Sequence, residues 1–439
     1  MIHSPNILRS IRRAVLAVVW VAASSVCAHA EDSEEGGECG PFPADEIVSP
    51  TLAPGAAVGR GGETVPEVVV VLPRLPDGSI GAAEFHLAAG ASIVESRWSP
   101  TLCATVARVT APRGTDPSRM ITSLPDGATA APNDIYFSAA TEPSAPLPSV
   151  PQPDPYRALQ HGLDRTGIDA VDWKLSRKAP PIAILDSRPA SDHPDLGGIR
   201  ILETGRDAGL PGVHGTMIAG AIAATRDNGF GISGLLPHPN VLAVPVCQPA
   251  TQAGRPDECR LYDLIVGSDL AWDAGARVFN LSLVGPANRV LERTVARLDR
   301  LGAVVVAAAG NEGVDEPRYP AAYPTVVAVG AVDRDGKPWA RSNHGLAVEV
   351  TAPGVEIVSA VPGGGFAFSD GTSLATAHVS SMIAMLASVA PDPHTARRAF
   401  FEAGHARPDA TRTTAALPTA CEALARLGVP CDTPASGRP

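Results

Sequence analysis

The sequence predicts an α/β fold: a three-layer domain on a mainly parallel sheet, preceded by a small α+β unit. Two observations carry the larger domain. Residues 181–186, 241–246, 277–282, 303–309 and 326–332 are apolar runs without strict alternation, as strands covered on both faces of a parallel sheet require. Helix candidates at 214–225, 262–274, 289–300 and 373–390 alternate with them, as in α/β domains. A third observation sets the smaller unit apart. Residues 141–155 hold six prolines, which favour an extended, solvated linker.

Taken in order, residues 1–30 read as an export signal. Arg9, Arg12 and Arg13 precede an apolar segment from Ala14 to Val26. Ala28-His29-Ala30 then gives the small–x–small pattern that precedes cleavage. A membrane anchor is the alternative, but the apolar segment falls short of a full span. Residues 31–64 are rich in Glu, Gly and Pro, lack periodicity and read as a mobile lead-in. Residues 65–140 form the α+β unit. Strands are expected at 68–72, 91–96, 104–109 and 134–138, with helices at 82–89 and 116–124, in the compact β-α-β-β-α-β order. The larger domain spans 156–415, and a tail with two cysteines runs from 416 to 439.

Composition bounds the function. Of 439 residues, 45% are hydrophobic and 18% charged, enough apolar content for a packed core. A net charge of −11 argues against nucleic acid as the main partner. Six cysteines follow the signal, which in an exported chain points to disulfides. Nearest-neighbour pairing joins Cys247 to Cys259 and Cys421 to Cys431, and leaves Cys39 with Cys103; it is one of 15 connectivities.

The chemistry centres on Asp370-Gly371-Thr372-Ser373-Leu374-Ala375-Thr376-Ala377-His378, which opens an apolar run as far as Val389. It reads as a buried helix with a serine in its first turn. Free N–H groups and the positive dipole end there stabilise an oxyanion. Three more motifs precede it. Ile182–Leu185 ends on Asp186, His214 leads a small-residue helix, and Val304–Ala309 delivers Gly310 and Asn311 to the same sheet edge. Each residue alone has a structural alternative: a strand-end cap, a helix start, a turn former or an N-cap. Their coincidence in the order Asp, His, Asn, Ser disfavours that reading. This order, with Ala308-Ala309-Gly310-Asn311-Glu312-Gly313 and Ala352-Pro353-Gly354-Val355, resembles the subtilisin-like serine proteases over about residues 155–415.

The resemblance implies a serine endopeptidase acting on protein or peptide substrates. Asp186, His214 and Ser373 would form its triad and Asn311 would hold the oxyanion. Residues 65–140, which match the family's propeptides in pattern and position, would be a propeptide, folding aid and inhibitor of its own chain, or else an unrelated accessory domain. Ser282, Leu283, Val284 and Gly285 would pair with an extended substrate. Arg318 would lie at the specificity pocket and favour acidic side chains, or else pair with Glu316 or face solvent. The chemistry would need no cofactor. Asp195 and Asn228, in loops resembling the family's calcium site, would suit a structural calcium ion, or else be an ordinary turn. His378 would be structural. The mature chain is expected to be exported without a membrane span. Arg188, Val284, Ala377 and Ser380-Ser381 depart from the family pattern. They keep open a second class, an inactive fold that binds peptides or proteins.

Overall fold

The computed structural model describes residues 66–431, apart from 74–85, 125–126, 141–153, 172–174, 206–208, 250–254 and 407–413. The expected signal and lead-in, and most of the linker, lie outside the described residues.

The N-terminal unit contains β1 (Glu67–Pro73), β2 (His86–Leu87), β3 (Ser92–Ser99), β4 (Ala104–Thr110), β5 (Ile121–Ser123) and β6 (Thr129–Pro132). Four of these form a sheet in the order β3-β4-β1-β6, and β2 pairs with β5. Alternation in β1 serves two cores. Val68 and Val70 bury against Met120 inside the unit, and Val69 and Val71 bury against the larger domain. The two helices expected here require correction. His86–Leu87 is a strand, and residues 82–85 lie outside the described residues. Pro117–Arg119 is a single 3₁₀ turn, followed by β5. Pro117 and Pro125 leave room for little more than two turns, and Met120 and Ile121 instead cover the small core, with β5 paired to β2.

A strand then leaves this unit: β7 (Ile135–Ser138) joins the sheet of the larger domain. That domain continues with α1 (His161–Thr166), β8 (Ile182–Ser187), β9 (Arg200–Ile201), α2 (Val213–Ala223), β10 (Val241–Gln248), β11 (Glu258–Arg260) and α3 (Leu261–Asp273). Next come β12 (Val278–Leu281), β13 (Leu283–Val284), α4 (Arg289–Arg300), β14 (Val304–Ala308), β15 (Val326–Val332) and β16 (Val350–Pro353). A hairpin of β17 (Ile357–Val361) and β18 (Gly365–Ser369), then α5 (Thr372–Ala387), α6 (Pro393–His405), β19 (Ala415–Ala416) and α7 (Ala420–Arg426) complete it. The eleven-stranded sheet runs β13-β7-β11-β10-β8-β12-β14-β15-β16-β19, with β9 beside β10. From β10 to β19 the neighbours are parallel, whereas β7 is antiparallel to both its neighbours.

Alternation makes the three layers. Ile182, Ile184, Val304 and Val306 point into a core with α2 and α5. Ala183, Leu185, Val305 and Ala307 point into a second core with α3 and α4. Helix α4 is amphipathic, with Val290, Leu291, Val295 and Leu298 buried. Asn288 caps it by accepting from the N–H groups of Val290 and Leu291, an arrangement that contributes about 1 kcal/mol. Helix α5 is buried through Leu386 and runs through the molecule. Its first turn therefore has a fixed position, as a reacting group there requires.

Candidate active site

Asp186 ends β8 and His214 opens α2, so sheet and helix each supply one partner. Asp186 is 1% exposed. His214 Nδ1 lies 2.9 and 2.8 Å from its two oxygens, and the Ser187 N–H donates to Oδ1 at 2.7 Å. This pairing places the imidazole proton on Nδ1 and leaves Nε2, which has no hydrogen bond, as the free base. Burial alone would lower the His214 pKa, but the charge and hydrogen bond of Asp186, with Asp257 adding to them, raise it above its ordinary value.

Ser373 is fully buried at the first turn of α5. Its Oγ donates to the Ser282 carbonyl at 3.1 Å rather than to His214. Its N–H points at the carbonyl oxygen of Ala139, 3.2 Å away. The Asn311 side-chain amide donates to the same oxygen at 2.8 Å. Thr372, which sequence reasoning did not single out, fixes that amide. Its N–H and hydroxyl both donate to Asn311 Oδ1, at 3.0 and 2.9 Å. Two donors thus converge on one carbonyl of this chain's own N-terminal segment, the arrangement that stabilises a developing oxyanion.

The segment arrives there as β7. Leu283 and Val284 pair with Ser138 and Phe137 on one side. Glu258, Cys259 and Arg260 pair with Phe137, Tyr136 and Ile135 on the other. The Ala139 N–H donates to the Ser282 carbonyl at 3.1 Å. Tyr136 is fully buried; its hydroxyl donates to the Pro286 carbonyl at 3.2 Å. The ring lies so close to Gly285 that a Cβ there would come within 2.3 Å of it. At Gly371 a Cβ would stand 2.6 Å from the Ala139 oxygen. Both glycines make room for β7 and the residue after it. Of the expected substrate segment, Ser282–Val284 thus pairs with residues 137–139, and Gly285 lies against the Tyr136 ring.

Other expected positions are plainly placed. Arg318 is 50% exposed and pairs with Glu312 at 3.4 Å, so a carboxylate of this chain already engages its guanidinium. Arg188 lies outside the left-handed backbone region, and its side chain reaches Glu203 at 2.5 Å. Its backbone therefore makes no demand for glycine. His378 is buried, lies near the Leu374 carbonyl at 2.8 Å and has its pKa pushed down to about 4 by burial, as a structural histidine would.

Asp195 and Asn228 meet: Asn228 Nδ2 donates to Asp195 Oδ1 at 2.8 Å, and the Ile232 N–H to Oδ2 at 2.9 Å. Asp154 joins the same loop, a residue sequence reasoning missed; its signal was an aspartate before Pro155 at the linker's end. It accepts from the N–H groups of Asp227 and Asn228 and from the Ser233 hydroxyl. Burial, with Asp154 nearby, pushes Asp195 up to about 6. Among the described residues no three His, Cys, Asp or Glu side chains gather as a metal cage. Two buried carboxylates that repel each other beside an amide still fit a hard cation in kind.

Disulfides join Cys247 to Cys259 and Cys421 to Cys431. Cys103 is also disulfide-bonded, and its expected partner Cys39 lies outside the described residues.

Comparison with known proteins bears on this geometry. Residues 177–415 match the sequence model of the subtilase family. The thermophilic serine proteinase of Bacillus sp. (strain AK1) is 38% identical over 240 residues, 53% of this chain and 58% of that protein. Thermitase of Thermoactinomyces vulgaris is 37% identical over 243 residues, 54% of this chain and 85% of that protein. Subtilisin E of Bacillus subtilis (strain 168) is 37% identical over 220 residues, 48% of this chain and 56% of that protein. The chain thus spans little more than half the length of the first and third, and most of thermitase.

Proposed function

We propose, from the premise that this chain belongs to the subtilase family, that it is an exported serine endopeptidase made as a zymogen, and that it first cuts itself between Ala139 and Ala140. The observation that carries this reading is the Ala139 carbonyl between the Asn311 amide and the Ser373 N–H. In the reaction Ser373 Oγ turns from Ser282, gives its proton to His214 Nε2 and attacks the Ala139 carbonyl carbon. The carbonyl oxygen takes the charge, held by Asn311 and Ser373. Asp186 stabilises the imidazolium without taking its proton. His214 then protonates the departing Ala140 nitrogen. An Ala139 ester on Ser373 remains, and water cleaves it by the same steps in reverse roles. Residues 66–139 then act as a product-like inhibitor until they leave. Protein substrates would enter the slot of β7 by strand addition.

The chemistry needs no cofactor. Calcium, in this reading, is structural: Asp154, Asp195 and Asn228 would hold it, the amide of Asn228 turning its oxygen inward. Chelation is expected to lower the melting temperature by about 5 °C or more, and an unchanged melting temperature would remove calcium from the account.

The second reading, an inactive peptide-binding fold, draws on Ser373 Oγ facing Ser282 instead of His214. One experiment separates the two. The purified full chain is incubated at neutral pH, its new N-terminus is found by mass spectrometry, and a fluorophosphonate probe is applied. Endopeptidase action predicts an N-terminus at Ala140 and an adduct on Ser373, both absent in Ser373→Ala. A folded chain that stays whole and unlabelled would favour the peptide-binding reading.

A further inference from the structure

The slot that holds β7 has two walls of unequal construction. One is β13. It follows β12 through a single residue, Ser282, so the main chain itself anchors it to the central sheet. The other is β11, three residues long. It meets the central sheet at only two residue pairs, Cys247 with Cys259 and Gln248 with Glu258. The first pair is a disulfide, buried at 1% and 0% exposure. Cys259 stands opposite Cys247 on one side and opposite Tyr136 on the other. Just before β11, Asp257 exchanges two hydrogen bonds with Ser138: its carbonyl accepts from the Ser138 N–H, and its N–H donates to the Ser138 hydroxyl. Asp186, His214, Asn311 and Ser373 all lie on other elements.

We propose that the Cys247–Cys259 disulfide is a positioning pair for substrate binding: it holds the β11 wall in register and so sets how tightly the cleft grips the second to fourth residues before the cut. It rests on the endopeptidase reading for its kinetic consequence, though not for its structural one. A wall held to the central sheet by one cross-strand bond and two residue pairs, and at its far end by the main chain running from Arg260 into α3, loosens at its near end when that bond is gone, because two pairs alone make a marginal ladder. Binding distributed along an extended chain then weakens, whereas a substrate without those residues never used the wall.

The test compares the full chain with its Cys247→Ser/Cys259→Ser variant, each allowed to mature. Two substrates are used: the p-nitroanilide of Tyr-Phe-Ser-Ala, which fills the slot as residues 136–139 do, and an acetyl-alanine nitrophenyl ester, which does not. The loss in kcat/KM on the tetrapeptide is expected to exceed the loss on the ester by about tenfold or more, mainly through KM. Equal losses on both substrates, or a loss carried by kcat, would overturn the proposal. A second measurement needs no activity. In the uncut Ser373→Ala chain, loss of the disulfide is expected to speed amide exchange at Tyr136–Ala139 and Glu258–Arg260 by about tenfold. Unchanged exchange there also overturns it. Should the double variant fail to fold, the same exchange is read on the Ser373→Ala chain after reduction by dithiothreitol, with thiol mapping to establish that Cys247 and Cys259 are free. Faster exchange in the Ser373→Ala chain, together with a wild-type chain that hydrolyses neither substrate, would sink the endopeptidase reading and leave the positioning role standing.

Discussion

Asp186 and Asp269 are both 1% exposed, yet their surroundings differ. Both oxygens of Asp186 lie within hydrogen-bond distance of His214, and one also takes the Ser187 N–H. Asp269, on α3, faces the N-terminal unit. One of its oxygens accepts from the Ser99 hydroxyl at 3.0 Å and the Thr101 N–H at 3.3 Å; the other has no partner. Burial pushes Asp269 up to about 6, against the opposing effects of those bonds and of Arg97. The first carboxylate belongs to a permanent assembly and is saturated. The second lies where two units meet and is left half satisfied, so its proton matters to the contact.

The largest test of that contrast is Asp186→Asn. It should keep the geometry and lower kcat by about 10⁴-fold, because the amide favours the wrong imidazole tautomer. A loss below about tenfold, measured on a peptide substrate, would break the claim that this pair is the working one. Asn311→Ala should lower kcat by about 10²–10³-fold, a magnitude that belongs to subtilisin and is carried over. The self-cleavage rate at Ala139 checks it.

Asp269→Asn sharpens the other side. Burial raises the carboxyl from its ordinary 3.8 to about 6, and the N-terminal unit, whose Ser99 and Thr101 reach it, supplies part of that burial. The docked state therefore binds the proton more tightly. Its contribution is fully present below about pH 3.8 and is lost as pH rises through about 6. Retention of the cleaved unit should weaken by at most about 100-fold across that window in the wild type, and much less in Asp269→Asn. Glu67, held below its ordinary value by Asn133, Arg108 and Arg260 against the raising effect of burial, works the other way, losing its contribution as pH falls. Size-exclusion of the self-cleaved chain at several pH values reads the balance. The smallest effect is expected from Arg188→Gly: kcat/KM within about twofold, since Arg188 carries no left-handed backbone and its side chain reaches Glu203.

The five strands and four helices read from apolar patterns appear within a few residues of their expected bounds, because burial on both faces leaves a local signature. The four motif residues could be singled out for the same reason, each lying at one end of its own run, and the structure brings Asp186 to His214 and points the Asn311 amide and the Ser373 N–H at one oxygen. What was not legible is pairing across long separations. Nothing near Phe137 announces that it will lie between Glu258 and Val284, more than a hundred residues away. Asp154 was hidden likewise, in a proline-rich stretch whose carboxylate finds its donors 73 and 74 residues on. The pairing of Arg318 with Glu312 was likewise hidden, because Glu312 sits six residues earlier on a turn that no periodicity describes.

The order of parts along the chain carries a consequence for timing. β7 is made before every group proposed to cut next to it: Asp186, His214, Asn311 and finally Ser373. Its walls, β11 and β13, also come later. During synthesis the cut is therefore impossible until nearly the whole domain exists and has closed around its own beginning. A break after Ala139 would act as a receipt for a folded catalytic centre, issued once per molecule and only by a chain whose synthesis and folding have passed Ser373.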